Sequence, residues 1–296
     1  GKRFKYLLTA KQYDAVWIQY ETLPYLPFFI ENLFGLYKNK IIVDYDDAIF
    51  HIYDQHKNFL VRCFLNNKIK QVMKHAHTVI VGNSYLEEYA KKSGAKKIIR
   101  IPTVVDTDKY SPTTIDDGGN TPIKIGWLGS PSTQHNLYVI QSALHRLSKE
   151  RHVEYHVMGT TDDFDIPHLT LIKHKWSEEQ QREFLNSINI GIMPLTEEVF
   201  TQGKCGYKLI QYMAYAKPVL ATPIGINTEI VTNHLNGFLC SSENEWLDAL
   251  KTLASDQTLR QTLGKNGQKI VEEKYSLKGE SRKIIVLFFI LRPSKR

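Results

Sequence analysis

The stretch Gly203 to Pro218, GKCGYKLIQYMAYAKP, gathers residues that can hold an anion. A glycine opens it and a proline closes it, the punctuation of a helix of about three turns. At about 100° per residue, Lys204, Lys208, Gln211 and Tyr215 share one face, and Cys205, Leu209, Ile210 and Met213 lie opposite. Two ammonium groups one turn apart near a helix N-terminus, where backbone N–H groups already favour negative charge, make a site for a diphosphate. A solvated lysine stripe is the competing reading, and residue types alone leave both open.

A second anion candidate lies at Ile123 to Asn136, IKIGWLGSPSTQHN, where an apolar strand runs into a turn and then a helix extending to about Lys149. Backbone N–H groups of the turn and the hydroxyls of Ser130 and Ser132 can surround a phosphate, and Gly129 permits close approach. The plainer alternative is a Ser-capped helix with Pro131 in its first position. The turn has neither the lysine of a P-loop nor three spaced glycines. Carboxylates gather at Asp44, Asp46 and Asp47 in IIVDYDDAIF, at the end of a buried strand, where ligands of open α/β sheets bind. Carboxylates there, Asp46 and Asp47 foremost, could take a proton from an acceptor hydroxyl or hold a metal, with turn capping as the alternative. His75 and His77 lack a third ligand at zinc-like spacing and read as surface or core histidines, so no metal site is expected.

These turns must be brought together by a frame, and the sequence supplies one. Short β-branched runs alternate with helical patterns, the mark of parallel sheets built from βαβ units. Strands are expected at Ala15 to Tyr20, Ile41 to Asp46, Thr78 to Gly82 and Lys97 to Ile101, then at Ile123 to Leu128, Val153 to Met158, Leu169 to Lys173, Ile188 to Met193, Pro218 to Thr222 and Gly237 to Cys240. The polar stretch 112–122 reads as a linker between a domain over 1–111 and one over 123–280, with a basic and apolar tail at 281–296. No glycine-rich strand-to-helix turn precedes Ala15, so the chain is expected to begin partway through its first domain. Leu23 to Tyr37 reads as a core helix plus a loop, with an amphipathic membrane-facing surface as the alternative.

With 296 residues, 42% apolar and 23% charged, the chain has the composition of a folded globular body and room for two domains. No apolar run approaches the roughly 20 residues of a membrane-spanning helix. Cys63, Cys205 and Cys240 form no paired spacing, which suits a reducing cytoplasm. The net charge of +7 is unevenly spread: residues 1–111 hold 17 Lys/Arg against 11 Asp/Glu, residues 112–277 hold 15 against 19, and the last 19 residues hold 6 against 1. The lysine clusters lack interleaved aromatics and no nucleic-acid-binding motif is present. A phosphate-bearing acceptor or an anionic membrane surface fits the basic half better than nucleic acid does.

Taken together, GWLGSPS, KCGYKLIQYMAYAKPVLATPIGINTEIV, NHLNGFLC and IPTVVDTDKYSP resemble, in order and spacing, segments of the family 4 retaining glycosyltransferases. The resemblance runs from about Ala15 to Tyr275. It implies the α/β GT-B fold, two Rossmann-like doubly wound parallel-sheet domains around a nucleotide-sugar cleft. It implies transfer of a sugar from a nucleotide-diphosphate sugar to the hydroxyl of a glycan or lipid-linked acceptor with retained configuration, without metal or other cofactor. The setting would be bacterial surface polysaccharide or glycolipid synthesis, in the cytoplasm or at the inner face of the membrane. It assigns Gly129, Ser130, Ser132, Lys204 and Lys208 to the donor diphosphate, Gly225, Ile226 and Asn227 to the neighbourhood of the transferred sugar, and Lys175 and Trp176 to the nucleobase rim. The family's glutamate pair, seven residues apart, is replaced by Gly203 and Gln211; the amide of Gln211 can still hydrogen-bond a ribose. A binding protein with impaired catalysis and a sugar-nucleotide epimerase of the same architecture are the alternative functions.

Overall fold

The computed structural model describes residues 8–33, 40–112 and 122–291. Contacts divide the chain into two units. The first comprises the chain up to Thr103, Glu198–Cys205 and the stretch from Glu280; the second comprises Val104–Glu197 and Gly206–Gly279. Most of the expected linker, 113–121, lies outside the described residues.

The first unit holds four parallel strands in the order β1-β2-β3-β4: β1 (Ala15–Gln19), β2 (Lys40–Tyr45), β3 (Thr78–Val81) and β4 (Ile98–Arg100). Ile41, Ile42 and Val43 are all fully buried, as an unbroken apolar run must be when a parallel sheet is covered on both faces. Ile41, Val43, Val79 and Val81 face one apolar cluster, while Ile42 and Ile80 pack with Leu287 on the other side. Leu287 belongs to the helix Leu277–Leu291, so the sequence expected as a tail folds, as far as residue 291, into a helix whose later part covers this sheet.

Polar groups also hold this unit from within. The Lys68 ammonium, with no exposed side-chain surface, pairs with Glu21 and with Glu31, the latter at 3.4 Å. Tyr53 donates its hydroxyl to Glu21 Oε1 at 2.5 Å, and the Leu23 N–H donates to Glu31 Oε1 at 3.0 Å. The segment following β1 is thereby fixed to the helix Lys68–His75. Its helix Phe28–Leu33 buries Glu31 and leaves Phe29 and Leu33 exposed. The expectation of a core helix from Leu23 onward is therefore corrected: the ion pairs turn the polar side inward. Residues 34–37 of that segment lie outside the described residues.

The second unit is a six-stranded parallel sheet: β5 (Ile123–Leu128), β6 (Val153–Met158), β7 (Leu171–His174), β8 (Ile190–Met193), β9 (Val219–Ala221) and β10 (Gly237–Leu239). Its order, β10-β9-β8-β5-β6-β7, is that of a doubly wound sheet reversing direction between β5 and β8. Trp127, Leu144, Trp246 and Leu250 fill one face, and Leu128, Phe184, Leu209 and Tyr212 fill the other. The ten expected strands and the two-sheet α/β class are thus observed.

Two helical expectations are corrected. The segment expected as one helix from Gly203 contains a short 3-10 helix at Val199–Gly203, an extended Lys204, and an α-helix only over Tyr207–Ala214. Gly206 breaks the run with a left-handed φ of 66°, so Lys204 precedes the helix and Lys208 lies in its first turn. Gln211 and Tyr215 are each 2% exposed, so the supposed chemical face is partly core. After the Gly-Ser-Pro-Ser turn, a 3-10 helix over Pro131–Ile140 precedes the α-helix Gln141–Glu150.

Removing Lys68 would leave two buried carboxylates facing each other. The variant Lys68→Met is expected to lose ~3 to 5 kcal/mol of stability, measured by urea unfolding, whereas Lys70→Met on the same helix's exposed side should unfold with the parent.

Candidate functional site

In a doubly wound sheet the loops leaving two neighbouring strands diverge where the winding reverses, and the crevice they leave at the carboxyl ends of the strands is the usual ligand site. Here those strands are β5 and β8. The loop after β5 carries Gly129, Ser130 and Ser132. A Cβ at Gly159, whose φ is +82°, would meet the Gly129 carbonyl oxygen at 2.1 Å, and one at Gly129 would meet the Trp127 ring at 2.2 Å. Both glycines are required by close packing of this turn. Ser130 N–H donates to Thr133 Oγ1 at 3.3 Å, Thr133 Oγ1 donates back to the Ser130 carbonyl at 3.0 Å, and the Ser130 and Ser132 hydroxyls lie 3.0 Å apart.

Hydrogen bonds then run across the loops. Asn136, 4% exposed, donates to the Thr133 carbonyl at 2.9 Å and accepts from the Thr196 N–H, beyond β8, at 2.8 Å. The next residue back, Leu195, donates its N–H to Thr222 Oγ1 at 3.0 Å, beyond β9. Asn227 donates to the Thr222 carbonyl at 2.9 Å, and its Oδ1 is buried with no hydrogen-bond partner among the described residues. Gly225, with φ 52°, and Ile226 form the turn into the short helix Asn227–Ile230. The Gly129–Ser132 turn and the Gly225–Asn227 turn, expected to flank one ligand, are thereby linked through the ends of three adjacent strands.

Lys208 reaches this loop from the helix Tyr207–Ala214: its ammonium lies 3.4 Å from Thr133 Oγ1 and 4.5 Å from the centre of the Trp127 ring. Tyr212, one turn on, accepts the Leu128 N–H at 2.7 Å at the end of β5, and burial pushes its phenol up. Gln211 is interior, and its Nε2 finds no acceptor among the described residues. Lys175 and Trp176 follow β7, with Trp176 64% exposed. They adjoin a pair absent from the sequence reading: His156 Nδ1 and His174 Nε2 lie 2.9 Å apart, with His156 Nε2 2.9 Å from Glu154. Burial pushes both imidazoles down.

The acidic cluster belongs to the first unit, as does Lys204. The Lys204 ammonium pairs with Asp47 Oδ2 at 2.9 Å, and Asp47 Oδ1 accepts the Ala48 N–H at 2.9 Å. Asp46 accepts the hydroxyl of Tyr20, whose backbone is left-handed at φ 67°, a rare conformation for an aromatic residue. Lys204 and Lys208 therefore do not form one lysine pair along a helix. Asn83 helps to fix the Lys204 segment by donating to the Gly203 and Lys204 carbonyls, each at 3.0 Å. A Cβ at Gly203 would lie 2.2 Å from the Ala48 Cβ and 2.8 Å from its nitrogen. A side chain at 203 would therefore press on the Ala48 backbone. Among the described residues no group of three or more His, Cys, Asp or Glu could hold a metal ion, and no helix is long and apolar enough to cross a membrane.

Thr133, Asn136, Thr196, Tyr20 and the His156–His174 pair escaped the sequence reading. Thr133 could have been suspected, because a hydroxyl three residues after Ser130 suits a capping exchange. The others depend on contacts between distant strands.

The two parallel sheets define an α/β protein of the GT-B type. Residues 122–256, within the second unit, match the sequence model of the family Glycosyl transferases group 1. The chain is 28% identical over 172 residues to the capsular polysaccharide biosynthesis glycosyltransferase CapM of Staphylococcus aureus, covering 53% of this chain and 43% of CapM. It is 30% identical over 114 residues to the glycosyltransferase MJ1178 of Methanocaldococcus jannaschii, covering 38% of this chain and 30% of that protein. These matches span less than half the length of either relative. Among solved structures, Anabaena Alr3699/HepE in complex with UDP shares the fold with a TM-score of 0.75 at 15% identity, over 97% of this chain and 82% of that one.

Two outcomes follow. Gly203→Glu should destabilise by ~1 to 3 kcal/mol through overpacking against Ala48, read by thermal unfolding. Burial, then the charge of Asp46, pushes the Asp44 carboxyl up to about 6, opposed by a hydrogen bond from Trp17. The folded state thus keeps this proton longer than the unfolded chain. Its contribution is fully present below about pH 4, falls as pH rises through about 6, and is level above. Asp44→Asn should flatten that decline in urea titrations.

Proposed function

We propose that the chain is a retaining glycosyltransferase, moving a sugar from a nucleotide-diphosphate sugar to the hydroxyl of a glycan or lipid-linked acceptor in bacterial surface polysaccharide or glycolipid synthesis. The observation that carries this reading is Lys208 beside a hydroxyl-rich turn at the point where the second sheet reverses its winding. The relatedness to CapM and the fold shared with a UDP-bound protein support the same donor class.

In this reading the donor diphosphate lies against the Gly129–Ser132 turn, and Lys208 neutralises the charge that grows on the leaving phosphate. Backbone N–H groups of the turn and the Ser130 and Ser132 hydroxyls supply further donors in fixed positions. Lys175 and Trp176 border the base, and Gly225, Ile226 and Asn227 border the sugar, where the buried Asn227 Oδ1 has acceptor capacity left. Gln211 stands for the family glutamate as a neutral hydrogen-bonding group. No metal or cofactor enters the reading, because lysine and backbone dipoles serve the leaving group. Retention follows from attack on the face the diphosphate leaves, with the phosphate itself taking the acceptor's proton and no covalent nucleophile. Asp46 and Asp47 are the first unit's candidates to orient the hydroxyl. Asp46 is the freer to do so, since Asp47 is held by Lys204 and the Ala48 N–H. The reaction belongs to the cytoplasm, where nucleotide sugars are made.

A binding protein without turnover is the second reading, favoured by the glycine and glutamine at 203 and 211. Donor binding without hydrolysis or transfer to any acceptor extract would support it over the first; epimerisation of a donor without acceptor would support the epimerase. Calorimetry with UDP and GDP tests the site itself. Lys208→Ala should lose tenfold or more in affinity, from a charge-assisted contact of ~1.5 to 3 kcal/mol, and Lys204→Ala should lose less because that ammonium is paired with Asp47. Unchanged affinity in both variants would return the lysines to the role of a solvated stripe.

A further inference from the structure

Two short helices of the first unit leave large apolar side chains exposed. Phe28–Leu33 buries its one carboxylate, Glu31, while Phe29 is 62% and Leu33 77% exposed. Phe59–Leu65 buries only Leu65, while Phe59, Leu60 and Phe64 are 64%, 59% and 74% exposed. Isolated exposed apolar residues are ordinary, but five large ones fall on two short helices of one unit. The helices share a surface: Tyr25, just before the first, packs edge-on to Tyr53 and His56, and Arg62 of the second donates to the His56 and Lys57 carbonyls. In the first helix the exposure is built in by the Lys68 ammonium, which draws Glu31 inward.

The surroundings of the patch identify its occupant. Residues 55 to 77 contain five Lys/Arg and no Asp/Glu, and of these Lys57, Lys70 and Lys74 are exposed. A second copy of the chain would bring the same positive charge to the interface, whereas an anionic lipid surface satisfies both the apolar side chains and the lysines. We infer that the face formed by Phe28–Leu33 and Phe59–Leu65 docks the protein on an anionic bilayer, with Phe29, Leu33, Phe59 and Phe64 entering the interfacial layer and Lys57, Lys70 and Lys74 lying against lipid headgroups. Phe28 takes no part, because it is half-buried against His75. The docking face lies wholly within the first unit and does not depend on the donor reading.

The test is sedimentation of the full chain with vesicles of phosphatidylcholine, alone or mixed with phosphatidylglycerol. Binding is expected only to the anionic vesicles and only at low salt, fading as the Debye length shrinks from about 30 Å towards about 3 Å. Phe59→Ser with Phe64→Ser should lower partitioning about tenfold or more, and Lys70→Gln and Lys74→Gln about fivefold each. Phe29→Ser tests the other helix independently, and circular dichroism checks that each variant is folded. Failure to bind anionic vesicles at low salt, equal binding to neutral vesicles, or unchanged binding by the variants would overturn the inference. So would a concentration-dependent dimer, lost in Phe59→Ser with Phe64→Ser, without vesicle binding. UDP calorimetry on the same samples separates the two proposals: vesicle binding without UDP affinity removes the donor reading and leaves this one standing, and the reverse result does the opposite.

Discussion

The hydrogen-bond chain from Thr133 through Asn136, Thr196, Leu195 and Thr222 to Asn227 is the constraint on which the candidate site depends. A parallel sheet fixes its strands but leaves the connections beyond their carboxyl ends to find their own partners. Here the connections after β5, β8 and β9 are held by side-chain amides and hydroxyls, several of them buried. Such bonds are individually modest in net energy, yet a buried amide left without its partner carries a desolvation cost, so each member helps to hold the others in place. Tyr212 adds the link between sheet and helix: its hydroxyl takes the last N–H of β5, which fixes the helix that carries Lys208 relative to the turn it faces. Gly191 leaves the room this needs, since a Cβ there would meet the Tyr212 ring at 2.4 Å.

The first unit solves a different problem by a different device. Its sheet has only four strands in the described residues, and the segment after β1 is secured by the Lys68–Glu21–Glu31 cluster. Buried ion pairs of this kind add little net stability over an apolar core, but they discriminate strongly against arrangements that separate the charges. Discrimination is what this segment requires, because its apolar residues would otherwise turn inward as they do in an ordinary amphipathic helix. The cluster therefore determines which side of Phe28–Leu33 is seen from outside.

The frame was legible in the sequence because its signals are periodic. Short β-branched runs such as Ile41 to Val43 and Ile190 to Met193 read as strands buried on both faces, and their alternation with helical segments points to the parallel class. The turn after β5 was legible because its glycine, serines and proline each demand a local conformation. What failed was the reading of Gly203 to Pro218 as one helix. Helical projection assigns Lys204 and Lys208 to one face, but it cannot register that Gly206 adopts a left-handed backbone or that Asn83, 120 residues away, captures the Gly203 carbonyl. The burial of Gln211 and the links made by Asn136 are likewise tertiary facts with no local pattern. The inverted helix was missed for the same reason, since its direction is set by Lys68, far along the chain.

Gly203 and Gln211 are both fixed by packing. At position 203 the backbone is pressed against Ala48 and its carbonyl is claimed by Asn83, so the position serves attachment of the segment rather than chemistry. At position 211 the side chain is interior, and a carboxylate there would be charged and desolvated one turn from Lys208. A neutral amide avoids that cost and leaves the lysine's field less opposed. In the acidic cluster of the first unit, Asp47 is paired with Lys204, whereas Asp46 accepts the hydroxyl of Tyr20, whose own backbone is left-handed.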